Sequence, residues 1–213
     1  MVDDTRNATA VHEAAHAVAS YLLDAPFVEA VLFDDATGEV VPKCLFCEVE
    51  RESICDDCLQ HYLHNDPVND EHAHEIQVGL WRSAAIAVAG AIGEECVNGR
   101  CEGSAAELLQ DNQIARYRSC LLHLRTDPSC YRDGLWEAGR SCSRCDATLG
   151  VIRRAVRQQL SEVAHLSAVN ALARDLDAQS RMSWATVVAF LESRGVVRGA
   201  AVPYLTPGVN ETT

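Results

Sequence analysis

The chain has 213 residues and a net charge of −13 at neutral pH. Hydrophobic residues make up 48% of it, which excludes an intrinsically disordered protein, and the length is sufficient for one well-formed core. The negative charge argues against nucleic acid or an anionic membrane surface as the main partner, because both would repel it.

The sequence also carries cues about the compartment. The longest strongly apolar run, residues 84–92, is too short to cross a bilayer, and residues 1–4 lack the basic and apolar regions of a signal peptide. We therefore expect a cytoplasmic protein with no membrane partner. In a reducing compartment, the ten cysteines suggest metal ligands before disulfides.

The first predicted helix contains the sequence His12-Glu13-Ala14-Ala15-His16. Residues four apart lie on one face of a helix, so His12 and His16 can bind the same zinc ion. Glu13 can then act as general base toward a water on that metal, as in the H-E-x-x-H motif of zinc peptidases. A pattern this short also occurs by chance, in which case both histidines are ordinary residues of an amphipathic helix.

A small β-hairpin is predicted next, with strands at 28–33 and 39–41, and residues 43–70 then form a cysteine-rich insertion. The insertion contains two Cys-x-x-Cys pairs, each able to give two thiolates to one tetrahedral zinc ion. The four cysteines are Cys44, Cys47, Cys55 and Cys58. His61 and His64 could replace a cysteine, but we favour a position on a short helix that leaves the second pair.

A long helix is predicted from about residue 70 to residue 97, and the next helix begins at Ser104. A catalytic zinc needs a third protein ligand, and the candidates are Glu107 and Asp111, one turn apart on that helix. Each has a structural alternative. Glu107 could be the capping partner of Ser104, and Asp111 could be a solvated surface charge.

The remaining cysteines are harder to assign. Cys96 and Cys101 could join Cys142 and Cys145 in a second structural zinc site, with Cys120 and Cys130 as alternative ligands or buried small residues. Further along, one long helix is predicted over residues 147–178. Ser183 is predicted to cap a last helix that ends at Gly195, and residues 201–213 are expected to form a disordered tail.

Several segments taken in order resemble the FtsH-type zinc metallopeptidases, among them the strand at 28–33, which follows the zinc-binding helix, and the closing helical pair at 172–191. Residues 9–18 (TAVHEAAHAV) resemble their zinc-binding helix, with Ala15 where they usually carry glycine, and residues 86–95 (IAVAGAIGEE) resemble their segment ending in two glutamates. Residues 103–108 (GSAAEL) resemble the stretch that carries their third ligand, an aspartate. That aspartate falls on Glu107 without a gap, and on Asp111 after a four-residue shift.

This resemblance implies a zincin-like peptidase domain over residues 1–200, mainly α with a small β-hairpin, into which residues 43–70 are inserted as a zinc-binding segment. It implies one catalytic zinc ion, besides one or two structural ones at the cysteines. Members of the family that are membrane-anchored couple proteolysis to an ATPase. These 213 residues contain no phosphate-binding G-x-x-x-x-G-K-[ST] loop, so a separate ATPase or other protein would have to unfold substrates.

The sequence thus favours a zinc metalloendopeptidase that hydrolyses peptides or unfolded protein segments, with Glu13 as general base. The alternative is a non-catalytic zinc-binding module that recognises a protein partner and retains a vestigial peptidase site. A redox role for the Cys-x-x-Cys pairs would not explain why four cysteines lie so close together in the sequence.

Overall fold

Helix α1 (Val2–Leu22) lies at the centre of the protein, and every residue from Ala10 to Leu22 is buried. In the computed structural model, the described residues are 2–47, 49–51, 54–65, 69–98 and 143–202. Alanine is abundant in α1 and favours the helix, and its small side chain lets neighbouring helices approach closely. The helix is followed by Asp24, whose φ of 51° turns the chain toward the first strand.

The sheet has three antiparallel strands in the order β2-β1-β3: β1 (Phe27–Leu32), β2 (Gly38–Pro42) and β3 (Arg181–Ser183). The predicted hairpin is confirmed, with Ala30 opposite Val40. The third strand was not predicted. It is only three residues long and pairs with β1 across 150 residues of sequence, with Met182 opposite Ala30, so no local pattern reveals it.

Helix α2 (Asp56–His64) lies in the cysteine-rich insertion, and α3 (Glu71–Asn98) follows it. Both helices were predicted, and α2 contains His61 and His64 as expected. Helix α3 packs against α1 and α2. Its contact with α1 is close, because a Cβ placed on Gly93 would lie 2.2 Å from the Cβ of Ala15.

Among the described parts of the chain, α3 alone is long and apolar enough to cross a membrane by length and composition. However, 67% of its most apolar window is buried inside the protein. A core helix of a globular protein has these same properties, so the apolar composition of α3 is explained by its packing.

The helix predicted over residues 147–178 is wrong as a single element. The structure has two helices, α4 (Ser143–Leu160) and α5 (Val163–Gln179), separated at Ser161 and Glu162. The break lets α4 pack against α3 while α5 packs against α1. The last carbonyl groups of α4 have no partner within the helix. His165 Nδ1 donates a hydrogen bond to one of them, the Gln159 carbonyl, at 2.7 Å.

The last helix, α6 (Trp184–Glu192), is capped as predicted. The Ser183 hydroxyl accepts a hydrogen bond from the Thr186 amide at 3.2 Å. After α6 the chain returns to the end of α1, where the Ala201 amide donates to the Leu22 carbonyl at 2.9 Å. The rest of the predicted tail, residues 203–213, lies outside the described residues. The fold is therefore mainly α with a small β-sheet, as the sequence indicated.

Candidate functional site

His12 and His16 lie one turn apart on α1 and are both buried, with 7% and 8% of their surface exposed. Their ring centroids are 4.7 Å apart and the ring planes are inclined by 74°. The helix therefore brings the two imidazoles together on one face, as the motif spacing predicts.

Both rings are oriented by hydrogen bonds at Nδ1. His16 Nδ1 lies 2.7 Å from the backbone carbonyl of Ile86, and His12 Nδ1 lies 2.5 Å from Oε1 of Glu94. A carbonyl oxygen can only accept, so His16 must carry a proton on Nδ1, and a carboxylate favours the same tautomer for His12. In a neutral imidazole with this tautomer, Nε2 holds the lone pair that binds a metal.

Helix α3 supplies the surroundings of the His12 ring. Gly90 faces that ring, and a Cβ at Gly90 would lie 2.3 Å from Nε2. Glu94 follows one helical turn later and accepts from Nδ1. Neither Gly90 nor Glu94 was predicted to have a role in the site. Their spacing was the one indication in the sequence. Residues four apart lie on the same face of a helix, so Gly90 can leave space for a side chain and Glu94 can accept a hydrogen bond from it.

Glu13, the candidate general base, is also buried, with 6% of its surface exposed. Burial raises the pKa of its carboxyl group to about 7, although His12 and a backbone hydrogen bond to Val40 act in the opposite direction. Strand β2 passes so close to it that a Cβ on Gly38 would lie 2.6 Å from Glu13 Cγ. A cation bound at the histidines would favour the ionised carboxylate, because opposite charges attract.

A cleft of about 340 Å³ opens beside Glu13 and His16, which both line it. This volume is at the lower end of those typical of small-ligand sites. The wall is formed by α1, the sheet and α3. About half of it is apolar, including Phe27, Val40 and Ile86, and the rest is polar. The cleft can therefore hold an apolar group next to a carboxylate and an imidazole.

The structure does not bring a third ligand to the histidine pair within the residues it describes, where only the four clustered cysteines form a set of three or more candidate ligands. Both candidates from the sequence, Glu107 and Asp111, lie outside the described residues. The predicted third ligand therefore stays a prediction.

The cysteine centre consists of Cys44, Cys47, Cys55 and Cys58, whose sulfur atoms all lie within 4.8 Å of one another. The Cys44–Cys58 and Cys47–Cys55 sulfur pairs are separated by 4.0 and 3.1 Å. A tetrahedral zinc ion with Zn–S bonds of about 2.3 Å holds its sulfurs about 3.8 Å apart. The cluster is compatible with a structural metal site, as predicted.

The backbone positions the four cysteines and supplies amide donors to the Cys44 sulfur. Cys44 lies in a hairpin beyond β2, where its amide donates to the Val49 carbonyl at 2.7 Å. Cys55 precedes the first residue of α2, so that Cys58 lies in the first turn. Burial opposes ionisation of Cys44, but backbone hydrogen bonds from Phe46, Cys55 and Cys47 outweigh it and lower the pKa of this thiol to about 7. Amide donors around a sulfur stabilise the thiolate that a metal requires.

His61 and His64, the two histidines considered as replacement ligands, are engaged away from the cysteines. His64 Nδ1 lies 2.8 Å from the Gln60 carbonyl of its own helix, and His61 contacts α3. The Nε2 atom of His61 lies 3.1 Å from Oδ1 of Asp70, and its ring packs against that of His72 with centroids 4.7 Å apart. Both contacts are made with the start of α3. His61 therefore connects α2 to α3, and the four thiols form the cluster by themselves.

The proposed second cysteine site is only partly visible. Cys96, near the end of α3, is partly exposed, and its sulfur lies 3.6 Å from the Ser161 hydroxyl. Cys101 and Cys142 lie outside the described residues, as do Cys120 and Cys130. Cys145 belongs to α4, but its side chain is not among those described. The pairing of these cysteines stays a prediction.

Comparison with known proteins assigns no family: no protein-family model matches the chain, and no curated protein is significantly similar to it.

Proposed function

We propose that this protein is a zinc metallopeptidase of the FtsH type, with a structural zinc ion at its cysteine centre. The observation that carries the proposal is the arrangement on α1, where two buried imidazoles are oriented through Nδ1 and a buried carboxylate lies between them in sequence. All three side chains belong to the H-E-x-x-H motif, and two of them line the cleft.

The catalytic zinc would be held by His12 and His16, together with Glu107 or Asp111. When bound, such an ion acidifies its water and polarises the scissile carbonyl. Glu94 and the Ile86 carbonyl would keep the two rings in the metal-binding tautomer. A chance match to the motif would not be expected to place an acceptor at Nδ1 of both imidazoles, which leaves Nε2 of each ring as the metal-binding atom.

Glu13 would accept a proton from the attacking water and deliver it to the leaving amine. Its buried position between the two imidazoles in sequence suits this role, because it places an acceptor next to the water that the metal would bind. The hydrogen bond to Val40 and the close packing of Gly38 hold the carboxylate in place.

The cleft indicates the kind of substrate. The apolar part of its lining favours a peptide segment with a hydrophobic side chain next to the scissile bond. A side chain of this kind becomes accessible in a flexible or unfolded segment. We therefore propose peptides and unfolded protein segments as substrates, with a separate ATPase or other protein as the partner that unfolds folded ones.

The test is the substitution Glu13→Gln, measured with internally quenched peptides that contain hydrophobic residues. Loss of the base should lower kcat by about 10²–10⁴-fold, while zinc content stays at the wild-type level because Glu13 is not a ligand. The matched control is Glu192→Gln, which removes the same charge from an exposed position on α6. This control should retain wild-type turnover.

Two results would contradict the proposal. Unchanged turnover in Glu13→Gln would exclude the proposed base. A wild-type protein that binds zinc at the cysteines alone, and hydrolyses none of the peptides, would instead favour the non-catalytic zinc-binding module. Metal analysis of His12→Ala separates the two sites, because this variant should lose one zinc ion and keep the one at the cysteines.

A further inference from the structure

The cysteine centre and the cleft share one segment of the chain. Strand β2 lines the cleft with Val40 and Pro42, and the hairpin that continues it adds Lys43 and Leu45 to the same wall. Cys44 lies between those two residues in sequence. One short segment of the chain therefore contributes both to the lining of the cleft and to the cysteine centre.

Backbone hydrogen bonds close this hairpin on itself. The Cys44 amide donates to Val49 at 2.7 Å, the Arg51 amide donates to Pro42 at 2.8 Å, and Lys43 forms an isolated bridge with Glu50. These bonds shape the hairpin, but none of them joins it to a helix. A two-stranded hairpin is marginally stable by itself, so its position depends on what ties it to the rest of the protein.

Among the described residues, Phe46 and the cysteines connect the hairpin to the helices, and the Phe46 ring also lies edge-on to that of His72 of α3, with centroids 5.6 Å apart. Phe46 packs near Gly79 of α3, where a Cβ would lie 3.1 Å from the Phe46 ring. The other connection is the cluster of four thiols, in which Cys44 and Cys47 come from the hairpin and Cys55 and Cys58 from the start of α2. Phe46 and Leu45 are only partly buried, so apolar packing alone holds this segment weakly.

We propose that a metal ion at the cysteine centre fixes the Pro42–Leu45 wall of the cleft, and that its occupancy sets how tightly the cleft binds a peptide. A metal bound to all four sulfurs joins the hairpin to α2, which packs against α3. Without it, only the weak Cys44–Cys58 and Cys47–Cys55 thiol contacts cross between the two segments, so Leu45 is held less firmly. The identity of the ligand as a peptide rests on the proposed function.

Loss of the metal at the cysteine centre should leave the proposed catalytic residues in place. His12 and His16 are held by Glu94 and Ile86 of α3, which lie outside the insertion. Val40, the part of β2 bonded to Glu13, is paired with Ala30 of β1. Loss of the cysteine-bound metal is therefore expected to change KM much more than kcat, which is the signature of weakened ground-state binding.

The experiment compares Cys47→Ala with Cys47→His in the full chain. Cys47 is the exposed member of the cluster, and histidine can replace a thiolate as a zinc ligand. Three quantities are measured for each variant: zinc per chain, hydrogen exchange at the Cys44 and Arg51 amides, and KM and kcat for a quenched peptide. Val49→Ala, which changes an exposed residue of the same hairpin outside both the cysteine centre and the cleft lining, is the control.

We expect Cys47→Ala to lose one zinc ion, to exchange faster at both amides and to raise KM about tenfold with kcat nearly unchanged. Cys47→His and Val49→Ala should behave like the wild type. Zinc loss that leaves both exchange and KM unchanged would overturn the proposal. If the wild type hydrolyses no peptide, the proposed function fails, and the exchange measurement still decides whether the metal fixes the wall.

Leu45 itself can be substituted if Cys47→Ala fails to fold. Leu45→Ala removes the cleft-lining side chain of the hairpin, and it should keep all bound zinc while raising KM. Leu45 is partly exposed, so the substitution leaves the core intact. An unchanged KM in this variant would show that the hairpin does not contribute to peptide binding, and would overturn the proposal.

Discussion

Gly90 of α3 faces the ring of His12 at a distance that only glycine permits, since a Cβ there would lie 2.3 Å from Nε2. One turn later, Glu94 lies 2.5 Å from the Nδ1 atom of the same ring. Helix α3 therefore provides both the space for this imidazole and the acceptor that orients it. The candidate metal site depends on α3 as much as on α1.

Gly90→Ala should displace the His12 ring and weaken zinc binding at the histidine pair by about 10–100-fold. The added methyl group also overpacks the contact between α1 and α3, which we expect to lower the free energy of unfolding by roughly 1–3 kcal/mol. Competition titration with a chromophoric chelator measures the affinity, and chemical denaturation measures the stability.

The matched control is Gly150→Ala on α4, where the nearest atom to an added Cβ is Arg154 Nη1 at 3.5 Å. That is an ordinary contact, so alanine should stabilise this helix by about 0.5–1 kcal/mol and leave zinc affinity unchanged. Wild-type zinc affinity in Gly90→Ala would show that the His12 ring can move without cost.

Glu94→Ala removes the acceptor of His12 Nδ1, so the imidazole should no longer be held in one tautomer. We expect zinc affinity at the histidine pair to fall by about 10–100-fold, with little change in the cysteine-bound zinc. Glu75→Ala, an exposed glutamate on the same helix, serves as the control. Equal zinc affinities in both variants would mean that Glu94 does not position the ring.

Glu95, the neighbour of Glu94, has a structural role that can be separated from the site. It is 5% exposed and forms ion pairs with Arg153, at 3.0 Å, and with Arg157, so it joins α3 to α4. Glu95→Gln should lower the free energy of unfolding by roughly 2 kcal/mol. This is less than for a fully buried pair, because 37% of the Arg157 side chain is exposed.

Denaturation of Glu95→Gln by urea measures this loss, and Glu71→Gln at the exposed start of α3 is the control. Zinc affinity at the histidine pair should stay close to the wild-type value as long as the variant is folded. A stability equal to that of the control would contradict the role assigned to the two ion pairs.

Asp70 should make a pH-dependent contribution to stability. Hydrogen bonds from the Ala73 amide, at 2.8 Å, and from His61 lower the pKa of its carboxyl group below the usual 3.8. The unfolded state therefore binds the proton more readily, so the stabilisation is present above pH 3.8 and disappears as the pH falls through the folded-state pKa.

Asp70→Ala should accordingly lower Tm at pH 7, and the difference from the wild type should shrink below about pH 4. Thermal unfolding followed by circular dichroism across this range measures the effect. Asp34→Ala, at an exposed position in the turn after β1, should show no comparable dependence. A difference in Tm for Asp70→Ala that stayed constant from pH 7 to pH 3 would rule out the titration of this carboxylate as its cause.

Local sequence patterns correctly predicted the features whose structure depends on residues close together in the chain. The spacing of His12 and His16 placed both on one face of α1, because a helix repeats every 3.6 residues. The two Cys-x-x-Cys pairs are separated by only seven residues, so their sulfur atoms could meet without help from the rest of the chain. The hairpin, the bounds of α3 and the Ser183 cap were predicted for the same reason.

The errors arose where distant segments decide the structure. Strand β3 exists because β1 offers it an edge, and the predicted helix over residues 147–178 is broken because its halves pack against different helices. Residue propensities within 147–178 favour one continuous helix and carry no signal for that division.

The residues able to bind a metal could be identified from the sequence, since ligand type and spacing are local properties. Their orientation depends on the packed fold, in which Glu94 reaches His12 across 82 residues of sequence and Gly90 makes room for the ring. The cleft likewise exists only once α1, the sheet and α3 are packed together. Orientation and burial depend on contacts between distant segments, and a one-dimensional pattern does not contain them.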